Sequence, residues 1–211
     1  MIPGSTATTT KEKILYSAAS LFAAKGFTET TVRELAESVG IMVGSIYHHF
    51  PSKNALLENM LDDYSSFNSD LFNYDDIFGI LKDNPTTDGV LVCLQLSFPT
   101  SRMVYYKNAL CVMLQEQLRN PIVRDFMSDQ YILRAEKNIE MIINVLKELG
   151  VIHQDADPDY WMKASSSFFY AFAARMMLGI GDNSPDFVGR GMAEMLRSTF
   201  ELMFEKHSAG R

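Results

Sequence analysis

Apolar residues in this chain recur every three or four positions and seldom alternate, a period that gathers them on one face of α-helices. Ile14, Leu15, Ala18, Ala19 and Phe22 share such a face, with Thr9 and Glu12 at capping-box spacing ahead of it and Gly26 as a stop. The pattern then repeats on a smaller scale: Thr31 and Glu34 form a second capping box, Val32, Leu35, Ala36 and Val39 an apolar face, and Gly40 the end. A third short helix starting near Met42 or Val43 puts Ile46 and Phe50 one turn apart, facing inward. Ser52 can cap a fourth helix that carries Leu56, Leu57, Met60, Leu61 and Tyr64. Two short helices across a tight turn bury little alone, so the first must pack across both and the fourth must tie them to the rest of the chain.

Beyond Tyr74 the helices lengthen between punctuation at Asn84-Pro85, Phe98-Pro99, Asn120-Pro121, Gly150, Asp157-Pro158 and Ser184-Pro185. The longest is expected to run unbroken from Pro121 to Leu149. The predicted fold is all-α, an amino-terminal three-helix helix-turn-helix domain plus a larger helical domain. Residues 1–8 read as a flexible tail, residues 9–53 as the first domain with its helix-turn-helix at 31–50, and residues 54–211 as the second.

Composition narrows the function classes. The chain has 211 residues, 47% hydrophobic, and a net charge of −7, so a basic coat is ruled out and any nucleic-acid contact must be a local patch. Residues 1–53 carry +1, which leaves −8 for the remainder. Cys93 and Cys111 form no C-x-x-C pair and read as core thiols of a reduced, cytoplasmic protein. The apolar run from Phe168 to Ile180 is interrupted by Arg175 and falls short of the roughly 20 residues of a membrane span, so no membrane partner is expected. No metal site is predicted: His48 and His49 are adjacent on a helix and point apart, with no H-E-x-x-H pattern. Asp155-Ala156-Asp157-Pro158-Asp159 begins like an EF-hand loop, but Tyr160 and Ser166 stand where Gly and Glu are required. Gly179-Ile180-Gly181 lacks the third glycine of a dinucleotide loop, and no nucleophile elbow is present, so neither a cofactor nor an enzyme is indicated.

The first domain carries the chemistry. In a helix-turn-helix the second helix projects side chains into the major groove while the first braces it on the backbone. With Ile46 and Phe50 inward, Val43, Ser45, Tyr47 and His48 face outward. Tyr47 can offer its hydroxyl to a phosphate, His48 and His49 their N–H groups, and Lys53 its charge; Thr31 and the amides beginning the second helix suit an anion. Val43 and Ser45 are placed for base edges, Val43 for a thymine methyl.

Taken in order, Gly26-Phe27, Thr30-Thr31-Val32-Arg33, Leu35-Ala36, Gly40-Ile41 and Gly44-Ser45-Ile46-Tyr47-His48-His49-Phe50-Pro51-Ser52-Lys53 resemble the TetR family of regulators over about a quarter of the chain. The resemblance implies an all-helical homodimer that binds a palindromic operator in double-stranded DNA, usually as a repressor released by a small molecule. It adds Thr30, Arg33 and Gly44 to the DNA-facing set. The family pattern has Ser-Lys where this chain has Met42-Val43. Losing an N-cap serine costs about 1 kcal/mol, and losing the lysine removes a phosphate contact with its salt dependence.

In the second domain, Phe98, Tyr105, Met113, Met127, Tyr131, Trp161, Phe168 and Phe169 are candidate linings of a pocket for a largely apolar effector, since methionine repacks around irregular shapes. The segment Phe168–Ala174 is apolar around most of its circumference and calls for a second cover. A four-helix dimer interface through Phe172, Ala173, Met176, Met192, Met195 and Thr199 would supply it. Two rival readings are a structural DNA-binding protein with a protein partner and no small effector, and an enzyme housed in the second domain.

Overall fold

The computed structural model describes residues 9–96, 102–178 and 185–209. The expected tail at 1–8 and Phe98 lie outside these residues, and the side chains of Met176 and Met192 lie outside the described ones. The elements are α1 (Thr10–Lys25), α2 (Val32–Val39), α3 (Val43–His49), α4 (Lys53–Leu71), α5 (Tyr74–Asp83), α6 (Thr87–Leu96), α7 (Met103–Glu116), α8 (Pro121–Phe126), a π-helical segment (Met127–Ile132), α9 (Leu133–Glu148), α10 (Pro158–Met177) and α11 (Pro185–His207). Among the described residues the sole extended pairing is an isolated bridge between Ile152 and Ser208. No helix of the described residues is long and apolar enough to cross a membrane.

Both capping boxes form. Thr9 accepts from the amide of Glu12 and Thr31 from that of Glu34, with each glutamate returning to the threonine amide at 2.9 Å. Gly40 ends α2 at φ +75°, a left-handed conformation that glycine adopts without steric cost. Met42 precedes α3 with no side-chain cap, as expected when an apolar residue takes that place. Ser52 caps α4 through the Ala55 amide at 3.0 Å.

The chain divides into two compact units, Met1–Ser66 with Thr100–Met127 and Phe67–Pro99 with Ser128–Arg211. The segment 9–53 therefore lies inside a larger unit that also contains the first part of α4 together with α7 and α8. In this unit α1 packs on α2 and α7, and α2 on α3. Ile14, Ala18, Phe22, Leu35, Ile46, Phe50, Leu56 and Met60 are buried together in its core. In the other unit α9 packs on α10 and α5, and α11 on α6 and α10, around Ile139, Ile142, Leu146, Leu196, Phe200 and Met203. Gly89 in α6 is sterically required, because a Cβ there would stand 1.9 Å from the Asn84 carbonyl oxygen.

The expected unbroken helix from Pro121 to Leu149 is interrupted by the π-helical segment at Met127–Ile132. The apolar phase gives a reason. Val123 and Met127 are buried on one face, and the next fully buried residue, Ile139, stands twelve positions beyond Met127. An α-helix returns to the same face after about eleven residues. A wider π turn takes up the extra residue and brings Ile139, Ile142 and Leu146 onto their own core.

Candidate nucleic-acid interface

The candidate recognition element is α3. Ile46 and Phe50 anchor it, each 1% exposed, so the remaining side chains are not committed to the core. Met42, Val43, Tyr47, His48 and His49 are exposed and Ser45 is half-buried. Val43 and Tyr47 stand out as large apolar side chains with 37% and 49% exposure. At Gly44 a Cβ would meet nothing within 4 Å and the backbone is not left-handed. The fold itself thus gives no reason for glycine there. Arg33 projects from α2 with its side chain 83% exposed, in an exposed in-helix pair with Glu37 at 3.1 Å.

The loop before α2 is fastened from within, which changes the role of two predicted contacts. Thr30 is 1% exposed and donates its hydroxyl to the Gly26 carbonyl at 2.9 Å. It cannot reach a phosphate. Lys53 Nζ donates to the carbonyls of Phe27, Thr28 and Thr30 at 2.8, 3.2 and 3.1 Å and sits 4.5 Å from the Phe27 ring centroid. An ammonium group has three N–H donors, and all are spent on this loop. In this structure Lys53 fastens the loop. The start of α2 is also filled: the Thr31 amide and hydroxyl both donate to Glu34 Oε2, so an incoming anion would meet a carboxylate.

Glu34 ties α2 to the end of α1 through Lys25 at 2.6 Å. The hydrogen bond from Lys25, followed by those from Thr31, lowers the Glu34 pKa from 4.5 to about 2. A cation that the motif did not announce lies beside α3. Lys11 of α1 is exposed, and its Nζ is 5.6 Å from the Phe50 ring centroid, next to the end of the recognition helix. The Lys11-Glu12-Lys13 run was the available signal.

Residues 14–60 match the family described as bacterial regulatory proteins, tetR family. The chain is 46% identical over 54 residues to the HTH-type transcriptional repressor KstR2 of Mycolicibacterium smegmatis, 26% of each chain. Residues 14–60 therefore carry a domain of the TetR family. Over the whole chain the likeness is one of fold. A protein from Mesorhizobium loti described as a TetR-family transcriptional regulator superposes with a TM-score of 0.65 at 17% identity, over 94% of this chain and 96% of that one. A transcriptional regulator from Saccharomonospora viridis in complex with choline superposes with a TM-score of 0.63 at 22% identity, over 88% and 94%. The aligned part of the KstR2 relative is about a quarter of its length, so the sequence likeness is confined to the amino-terminal domain.

The residues predicted to line a pocket do not fall in one unit of the fold. Tyr105, Met113 and Met127 are buried in the amino-terminal unit, where Tyr105 stacks on Tyr16 at 4.4 Å. In the other unit Trp161 is buried while Tyr131, Phe168 and Phe169 are half-buried, the Tyr131 hydroxyl lying 3.5 Å from the Phe169 carbonyl oxygen. Two of the predicted dimer contacts are already covered by their own chain: Phe172 is 5% and Ala173 1% exposed. Packing of α10 against α9 and α11 supplies that cover. Met195 and Thr199 of α11 are half-buried.

Proposed function

We propose that this TetR-family protein is a transcriptional regulator that binds double-stranded DNA through the exposed face of α3. The observation that carries the reading is the division of labour in that helix. Ile46 and Phe50 satisfy the core, which leaves Val43, Gly44, Ser45, Tyr47, His48 and His49 with no structural task. Arg33 of α2 completes the contact face. Val43 and Ser45 meet base edges, and Tyr47, His48 and His49 meet phosphates. With an overall charge of −7, the Lys53 donors spent on the loop and no cation at Met42-Val43, binding relies on apolar contact and on two heads acting together.

The protein works as a cytoplasmic homodimer on a palindromic operator, its heads fitting half-sites about 34 Å apart. It acts as a repressor released by a small, largely apolar effector. Effector binding in the second unit shifts α4, and one head loses its half-site. The choline complex of the Saccharomonospora viridis regulator supports a small ligand in this fold. Selection of bound duplexes from a random pool tests the reading. The expected product is an enriched inverted repeat bound by two chains; a pool that stays random after repeated rounds refutes it.

A further inference from the structure

The backbone passes between the two units three times: within α4 after Ser66, between α6 and α7, and in the π-helical segment after Met127. The side chains bordering these crossings in the amino-terminal unit meet in one cluster. Asp63 and Tyr64 precede the first crossing, Arg102 and Tyr106 come after the second, and Phe126 precedes the third. Arg102 Nη1 lies 3.5 Å from Asp63 Oδ1. The Tyr64 ring stands edge-on to Tyr106 at 5.5 Å and to Phe126 at 6.3 Å.

The same cluster reaches α1. Arg102 Nη2 donates to Glu12 Oε1 at 2.8 Å, and the guanidinium lies 5.9 Å from the Tyr16 ring centroid. Glu12 has two tasks, since its Oε2 also accepts from the Thr9 amide at 2.9 Å and closes the cap of α1. Both carboxylates that hold Arg102 therefore belong to helices that carry the reading head. α1 packs on α2, and α4 begins with the lysine that fastens the loop between α1 and α2.

The clasp is not an ordinary surface ion pair. Arg102, Glu12 and Asp63 have side chains 30%, 25% and 32% exposed, and Asp63 Oδ2 is enclosed. Burial first, and then the Asp63 carboxylate, raise the hydroxyl pKa values of Tyr105 and Tyr106, so these phenols stay neutral around the guanidinium. Removing one partner of a half-buried pair leaves the other charge poorly solvated, so each of the three groups depends on the other two.

We propose that Arg102 is the positioning residue through which the state of the second unit reaches the DNA-reading head. Closed on Glu12 and Asp63, it holds α1 and α4 so that α2 and α3 are set for DNA. Movement at the crossings beside it opens the clasp and loosens that hold. The proposal rests on the reading of the chain as a DNA-binding regulator. Coupling between sites is reciprocal, so DNA on α3 must also be felt in the second unit.

The test uses the full chain, a duplex recovered by selection from random DNA, and hydrogen exchange read separately over α2–α3 and α9–α11. In the wild type the duplex slows exchange in α2–α3 and also changes it in α9–α11. Glu12→Gln keeps the cap of α1, since glutamine serves at that capping-box position, but removes the charge opposite Arg102. Glu12→Gln and Arg102→Gln are expected to weaken duplex binding about fivefold or more, within the usual range of coupling between sites. At saturating duplex both keep the protection of α2–α3 and lose the response of α9–α11, and Arg102→Lys restores part of it. If Arg102→Gln does not fold, Glu12→Gln alone decides. A wild type whose second unit ignores the duplex, or variants that respond as the wild type does, overturns the proposal while the regulator reading stands. A wild type that enriches no duplex defeats both.

Discussion

Gly44→Ala separates the needs of the fold from the needs of DNA binding. A Cβ at this position meets nothing within 4 Å and the backbone is not left-handed, so the substitution introduces no strain. Replacing glycine by alanine inside a helix then gains about 0.5–1 kcal/mol. For a chain of this size such a gain raises the melting temperature by about 2–4 °C at most. DNA should see the opposite sign. If α3 lies in the major groove with its first turn against the duplex, the added methyl occupies space that the backbone needs for close approach. Losing one good contact costs about 1–3 kcal/mol, so affinity should fall about tenfold or more. Thermal unfolding and fluorescence anisotropy on a selected duplex measure the two effects on the same preparation. A variant that is more stable and binds as tightly as the wild type would show that Gly44 does not face DNA.

Lys53→Met should remove the three carbonyl bonds that fasten the loop before α2 and cost about 1–2 kcal/mol, toward the low end for bonds to a charged group because the site is half-exposed. Its salt slope for DNA binding should match that of the wild type; a slope lowered by about one would reveal a phosphate contact instead. Glu34 has a folded-state pKa lowered from 4.5 to about 2, so its contribution to stability is complete above about pH 4.5 and is lost as pH falls toward 2. The stability advantage of the wild type over Glu34→Gln should therefore shrink across that window in acid denaturation, and a constant advantage would contradict the Lys25 and Thr31 bonds. Burial pushes the Cys93 thiol up to about 12, whereas Cys111 is half-buried. A maleimide at pH 8 should label Cys111 first and reach Cys93 at the rate of unfolding, as mass spectrometry of the modified peptides can show.

The amino-terminal elements were legible because their determinants are local. Capping boxes at Thr9 and Thr31, a left-handed stop at Gly40 and the inward pair Ile46 and Phe50 are all encoded within a turn or two of where they act. What stayed hidden depends on residues far apart in sequence. Lys53 carries the charge of a phosphate contact, and only the return of the loop across 23 to 26 positions shows its donors spent on carbonyls. Thr30 could be cap, contact or core until Gly26 and Leu21 closed around it. Phe172 and Ala173 had an apolar face that needed a cover, and periodicity cannot say whether the cover is the same chain or another. The π-helical segment had a readable sign in the twelve-residue step from Met127 to Ile139, which an unbroken α-helix does not accommodate.

The central claim is that the outward face of α3 reads DNA, and one comparison of affinities tests it most directly. Tyr47, His48 and His49 are exposed, so replacing all three with alanine should leave the fold intact, as circular dichroism and thermal unfolding can verify. On a duplex obtained by selection with the wild type, the triple variant should bind at least about a hundredfold more weakly, near 2.8 kcal/mol at tenfold per 1.4 kcal/mol. A folded triple variant with wild-type affinity for the same duplex would contradict the account.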